Sequence, residues 1–135
     1  MPMVKMVDDA SASPAAKEVF DDIRQSRNTD YVNNIWRTLA VHPPMLKRFW
    51  NYMKEVMLKE SRLDALTKEY IYLAVSMTNN CEYCIHSHIA AARKKGMDDE
   101  MLAELVEIVA LANAGNRLTQ GLQVEVDERF KPKFD

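Results

Sequence analysis

Only three glycines occur among the 135 residues, and no stretch alternates β-branched and polar residues as a half-buried strand would. A chain short of both turn glycines and strand pattern is constrained towards an all-α fold, and its remaining punctuation is helical. Ser13-Pro14 reads as an N-cap followed by proline at the first helical position, opening AAKEVFDDIRQSR. IWRTLAVH is a short second helix stopped by Pro43-Pro44, and the second of these prolines can open a third, PMLKRFWNYMKEVMLKES. Asp64 or Thr67 starts a fourth through LTKEYIYLAVSMTNN, and the cysteine segment opens a fifth that runs to Lys95-Gly96, where glycine suits a C-terminal cap. Asp98 begins the sixth, with Gly115 a candidate irregularity. The expected organisation is one domain over residues 1–135: a loose N-terminal arm over 1–12, a helical core over 13–125 and an extended tail over 126–135.

Nearly half the residues are hydrophobic (47%), so a packed core needs no disulfide staples. A chain of this length buries about two-thirds of its unfolded surface. The net charge is −2, with no long run of one sign, which gives nucleic-acid or anionic-membrane binding little electrostatic support. The N-terminus MPMVKMVDDASAS lacks the apolar region of a signal peptide, and no stretch approaches the length of a membrane span. The expectation is a soluble, cytoplasmic protein. In a reducing compartment a close pair of cysteines points to redox or metal chemistry before a structural staple.

That pair lies in NNCEYCIHSH, residues 79–88, which holds both cysteines and two of the three histidines. At about 100° per residue on a helix, Cys84 lies about −60° and His88 about −20° from Cys81. The two thiols and His88 therefore share one arc, while Tyr83 and His86 fall on the other side. The preceding helix is apolar almost all round (Leu66, Tyr70, Ile71, Leu73, Ala74, Val75 and Met77), a pattern of central, buried helices. Glu69 sits inside it. A carboxylate there is costly unless paired or protonated, so it either has a partner or lies at a solvated edge.

Cysteines at i and i+3 on a helical start can approach closely enough for a disulfide. The positive end of the helix dipole favours thiolate over thiol, which makes a cysteine nucleophilic near neutral pH. His88, one turn after Cys84, can accept its proton directly or through a water, and Glu69 can orient His88. Other readings stay open. Buried cysteines are often small hydrophobes. Zinc could use Cys81, Cys84, His88 and Glu69, although structural zinc motifs usually bring a second ligand pair from a distant segment. Haem attachment requires histidine where Ile85 stands, and a thioredoxin-type site requires strands. His86 reads as solvent-facing or oligomer-packed, and His42 as a loop or helix-end residue. Trp36, Phe49, Trp50 and Tyr52 read as core or subunit-contact aromatics, and the nine methionines as adaptable packing.

Glu69, Cys81, Cys84 and His88 together spell E-x11-C-x2-C-x3-H. This resembles the signature of the AhpD-like superfamily, the alkylhydroperoxidase D and carboxymuconolactone decarboxylase-like proteins. LTKEYIYLAVSMTNNCEYCIHSHIAAARKKGM resembles the family core, and the similarity extends over roughly residues 33–122. The resemblance implies an all-α, AhpD-like domain of about six helices that assembles as a homo-oligomer, a trimer or hexamer. It implies that Cys84 attacks peroxide, that Cys81 resolves the product as a disulfide, and that Glu69 and His88 relay the proton. The implied partners are a small-molecule peroxide and an unidentified thiol or disulfide reductant protein, with no cofactor and no metal. Some alkylhydroperoxidase D proteins carry a second relay histidine directly before the nucleophilic cysteine; Tyr83 stands there in this chain. Decarboxylase members typically lack the cysteine pair. The alternatives are a zinc-binding structural or regulatory module and a lyase of the carboxymuconolactone decarboxylase type.

Overall fold

The computed structural model describes residues 2–134. The chain divides into two compact units, residues 1–62 and 63–135, each with its own core. Among the described residues there are six α-helices and no strand. None of the helices is long and apolar enough to cross a membrane.

The first unit contains α1 (Pro14–Arg27), α2 (Asn34–Leu39) and α3 (Pro43–Met53). Ser13 caps α1 as its spelling implies, its Oγ accepting the Ala16 N–H. Ala16, Val19, Phe20 and Ile23 recur at helical spacing and bury one stripe of α1 with Trp36, Leu46 and Trp50. Trp36 meets Trp50 edge to face at 5.2 Å. Of the four aromatics singled out in the sequence, these two are core residues, whereas Phe49 and Tyr52 are exposed. His42 is the N-cap residue of α3, and both Pro43 and Pro44 lie inside the helix rather than the second alone. First-turn N–H groups have no intrahelical acceptor, so two prolines there forfeit nothing.

The third helix does not run on as one α-helix. It widens into a π turn over Lys54–Leu58, closed by the Lys59 N–H donating to the Lys54 carbonyl. Trp50 Nε1 and Lys54 Nζ both donate to Asp22 Oδ2, at 2.6 and 2.7 Å, and tie this region to α1. The N-terminal arm, expected to be loose, is fastened. Asp9 bridges Arg24 and Arg37 at 2.5 and 2.9 Å, Val7 and Arg37 exchange backbone and side-chain hydrogen bonds, and Ala12 is buried.

The second unit contains α4 (Ala65–Thr78), α5 (Glu82–Lys94) and α6 (Asp99–Gly121), followed by a 3₁₀ turn, Glu128–Phe130. Asp64 caps α4 and Asp98 caps α6, each accepting the N–H three residues on at 2.8 Å. Gly96 follows α5 at φ +104°, a conformation that glycine adopts without a Cβ penalty. Gly115 causes no break in α6. Leu73, Ala92 and Met97 form the core, with Leu66, Tyr70, Met77, Ile89, Met101, Leu102 and Leu105 packed against them.

The all-round apolar surface of α4 is only partly covered. Glu69, Leu73 and Ser76 are buried, yet Ile71 and Val75 remain about half exposed (50% and 54%). Along α6, Val106, Ile108, Leu111 and Leu118 are exposed as well. Two neighbouring helices cannot enclose a third on every side, so apolar surface is left over.

Candidate active site

The site is carried by the α4–α5 hairpin. Asn79 ends α4, Asn80 takes the left-handed conformation (φ 55°), and Cys81 becomes the N-cap of α5. Asparagine tolerates this conformation better than other residues with a Cβ, so Asn80 makes a tight reversal possible. The Cys81 N–H donates to the Ser76 carbonyl at 3.0 Å, which pins the first cysteine to the end of α4. Asn80→Val should lower stability by about 1–2 kcal/mol, because a β-branched residue is penalised most at positive φ, whereas Asn80→Gly should be close to neutral. Urea unfolding of the oxidised protein measures both.

Cys81 and Cys84 are joined in a disulfide, with Cα atoms 5.3 Å apart. Cys81 Sγ also accepts the Cys84 N–H at 3.4 Å, so one sulfur occupies the place of an N-cap oxygen. This refines the wheel geometry: Cys81 lies just outside the helix and reaches its partner as a cap, while Cys84 lies in the first turn. His88 follows Cys84 by one turn and is partly buried, whereas Tyr83 (42% exposed) and His86 face outward as the wheel implied.

Glu69 is buried, at 5% exposure, and its partner is His88, whose Nδ1 lies 2.6 Å from Glu69 Oε2. With a carboxylate on this side, Nδ1 carries the hydrogen and donates it, leaving Nε2 as the basic nitrogen of the neutral ring. Burial pushes the Glu69 carboxyl up, but the His88 hydrogen bond and charge, then Lys95, outweigh it. The group is held below the usual carboxylate range.

Two residues that sequence reasoning missed complete the arrangement. Tyr72 stacks on the His88 ring, with centroids 3.7 Å apart and planes 22° from parallel. Its phenol is pushed up by burial and then by the Glu69 charge, which keeps a neutral aromatic face against the imidazole. Lys95 Nζ reaches Glu69 Oε1 at 3.2 Å. Spacing could have exposed both: Tyr72 is three residues after Glu69, and Lys95 is two helical turns after His88.

The structure thus joins Cys81 with Cys84 at the start of α5 and Glu69 of α4 with His88 of α5, one turn after Cys84. Among the described residues, no three His, Cys, Asp or Glu side chains converge as a metal cage. A dithiol at a helix start, followed by a carboxylate-oriented imidazole, can cycle between disulfide and thiols while exchanging protons locally.

Comparisons with known proteins bear on the fold and the family. The crystal structure of the alkylhydroperoxidase AhpD core from Rhodospirillum rubrum superposes with a TM-score of 0.95 at 52% identity, covering 98% of this chain and 99% of that one. A curated relative, "Uncharacterized protein 4 in cox locus" of Paracoccus denitrificans, is 32% identical over 63 residues. That match covers 47% of this chain and 57% of the relative, so the chain spans little more than half of that protein's length. The carboxymuconolactone decarboxylase family profile matches residues 43–125, which include Glu69, both cysteines and His88. The AhpD-like all-α fold and a dithiol of the C-x2-C type are thereby in hand together, and the chain belongs to the carboxymuconolactone decarboxylase family.

Proposed function

We propose that the chain is a dithiol peroxidase of the alkylhydroperoxidase type. The observation that carries this reading is the Cys81–Cys84 disulfide set one helical turn before a Glu69-bound His88. Cys84 is the attacking thiol and Cys81 the resolving one. His88, oriented by Glu69, accepts the Cys84 proton at Nε2. The Cys84 thiolate attacks the terminal peroxide oxygen, the O–O bond breaks, and the alkoxide takes up a proton and leaves as the alcohol. Cys84 is then a sulfenic acid. Cys81 attacks its sulfur, water departs and the disulfide closes. Two electrons from a thiol or disulfide reductant protein return the pair to thiols.

Tyr83 stands where some relatives place a further histidine and is exposed, so proton transfer rests on His88 and Glu69. The uncovered apolar surface of α4 and α6 supports assembly as a homo-oligomer, a trimer or hexamer, since burying it between copies removes it from water. The reaction suits a reducing cytoplasm, where the dithiol is regenerated.

Mass spectrometry with thiol counting tests the reading. Reduced protein treated with one equivalent of alkyl hydroperoxide should lose two hydrogens, localised to Cys81 and Cys84, and release one equivalent of alcohol. Unchanged thiols with bound zinc in metal analysis of the same sample would overturn it. Turnover of a lactone acid that survives alkylation of both cysteines would mark a lyase instead.

A further inference from the structure

The Glu69 carboxylate has two oxygens and two cationic or proton-bearing partners. Oε2 faces His88 Nδ1 at 2.6 Å, and Oε1 faces Lys95 Nζ at 3.2 Å. We infer that Lys95 is a positioning residue of the relay: it holds Glu69 as a carboxylate and thereby sets the pH at which the Glu69–His88 pair can accept the thiol proton. This inference rests on the relay proposed above.

The surroundings leave Lys95 this role. The ionisable neighbour of Glu69 on α4 is Tyr72, kept neutral by burial and by the Glu69 charge. On α5, His88 and Lys95 face the carboxylate, while Arg93 is engaged with Asp99 at 2.6 Å. The α6 residues packed on this layer, Met101, Leu102 and Leu105, are apolar. Lys95 also caps the end of α5, with Nζ 3.5 Å from the Ala91 carbonyl, and its side chain is 30% exposed. A lysine at a helix C-terminus is stabilising for that reason alone. The contact with a nearly inaccessible carboxylate is a separate matter.

The electrostatic consequence has a definite sign. To act as a base, the pair must give up the proton on His88 Nε2 and stand as carboxylate and neutral imidazole, with Nδ1 still donating to Glu69. In that state Lys95 is the full positive charge in contact with the buried carboxylate. Removing the lysine charge leaves a desolvated carboxylate beside a neutral ring, so the pair holds its proton to higher pH. A protonated pair cannot take the proton of Cys84, and the acid limb of the reaction moves upward with it.

The test uses the full chain with Lys95→Met, which keeps the stem, Lys95→Gln, which keeps a donor without charge, and Lys95→Arg, which keeps the charge. Two readouts are followed against pH: the single-turnover rate of disulfide formation with alkyl hydroperoxide, and the NMR titration of the His88 ring in reduced protein. In the Met and Gln variants both midpoints should rise by roughly 0.5–1 pH unit, a shift discounted for the partial exposure of the lysine. The Arg variant should follow the parent. Coincident titrations in parent, Met and Gln proteins would overturn the inference, as would an Arg variant that behaves like Met. If Lys95→Met fails to fold, the Gln and Arg comparison decides alone. If no variant and no parent reacts with peroxide, the peroxidase reading fails, while the NMR titration still settles the part played by Lys95.

Discussion

Cys84→Ser should abolish peroxide-driven turnover, lowering kcat/KM at least a hundredfold, while leaving the helical fold intact. A serine hydroxyl in the same first turn of α5 is not ionised near neutral pH and is a far weaker nucleophile towards oxygen than a thiolate. Cys81→Ser has a different expected signature, and the contrast assigns the two roles. With Cys84 still present, the first equivalent of hydroperoxide should be consumed at close to the parent rate, and Cys84 should gain one oxygen. Turnover then stops, since no second thiol is available to release water and close the disulfide. Stopped-flow peroxide consumption and intact-mass analysis measure both. Equal consumption by Cys84→Ser and the parent, with reductant supplied, would remove Cys84 from its role. A Cys84→Ser protein that gains an oxygen on Cys81 would exchange the two assignments.

What made this site legible is that it is local. Glu69, Cys81, Cys84 and His88 lie within two consecutive helices, so helical period alone places the cysteines and His88 together and turns His86 and Tyr83 away. The caps were legible for a similar reason: Ser13, Asp64 and Asp98 each satisfy an N–H three residues on. Cys81 was harder, because a residue at the N-cap leaves the helical period, and its sulfur points back along the first turn. Lys95 read as a terminal lysine next to glycine, although its place two turns after His88 puts it on the same side of α5. The fastening of the N-terminal arm by Asp9 was also beyond pattern reading, since its partners lie 15 and 28 residues away. The apolar circumference of α4 spoke correctly of burial. It did not show that Ile71 and Val75 stay about half exposed, since α5 and α6 cover α4 on only part of its circumference.

Glu69→Gln should reduce peroxide turnover by about 10²–10³-fold, within the range expected when a general base loses its orienting carboxylate. The amide keeps the shape of the side chain and can accept one hydrogen bond from His88 Nδ1, so the loss reports charge more than packing. Its pH signature separates the variant from a merely destabilised protein. In the parent, the Glu69 carboxyl is held below its ordinary value of 4.5 by His88 and Lys95 despite its burial. A carboxyl depressed on folding contributes stability that is fully present above that ordinary value and is lost as pH falls through the lower folded value. The stability difference between parent and Glu69→Gln should therefore be greatest above pH 4.5, at about 1–3 kcal/mol, and should narrow on acidification below it. Asp9 and Asp22 are also depressed, by Arg24 and Arg37 and by Lys54 and Trp50, but both proteins retain them and their acid losses cancel in the difference. Urea unfolding at a series of pH values measures it. A difference independent of pH would mean that Glu69 is not charged in the folded protein, and His88 would then lack the anion that orients it as a base.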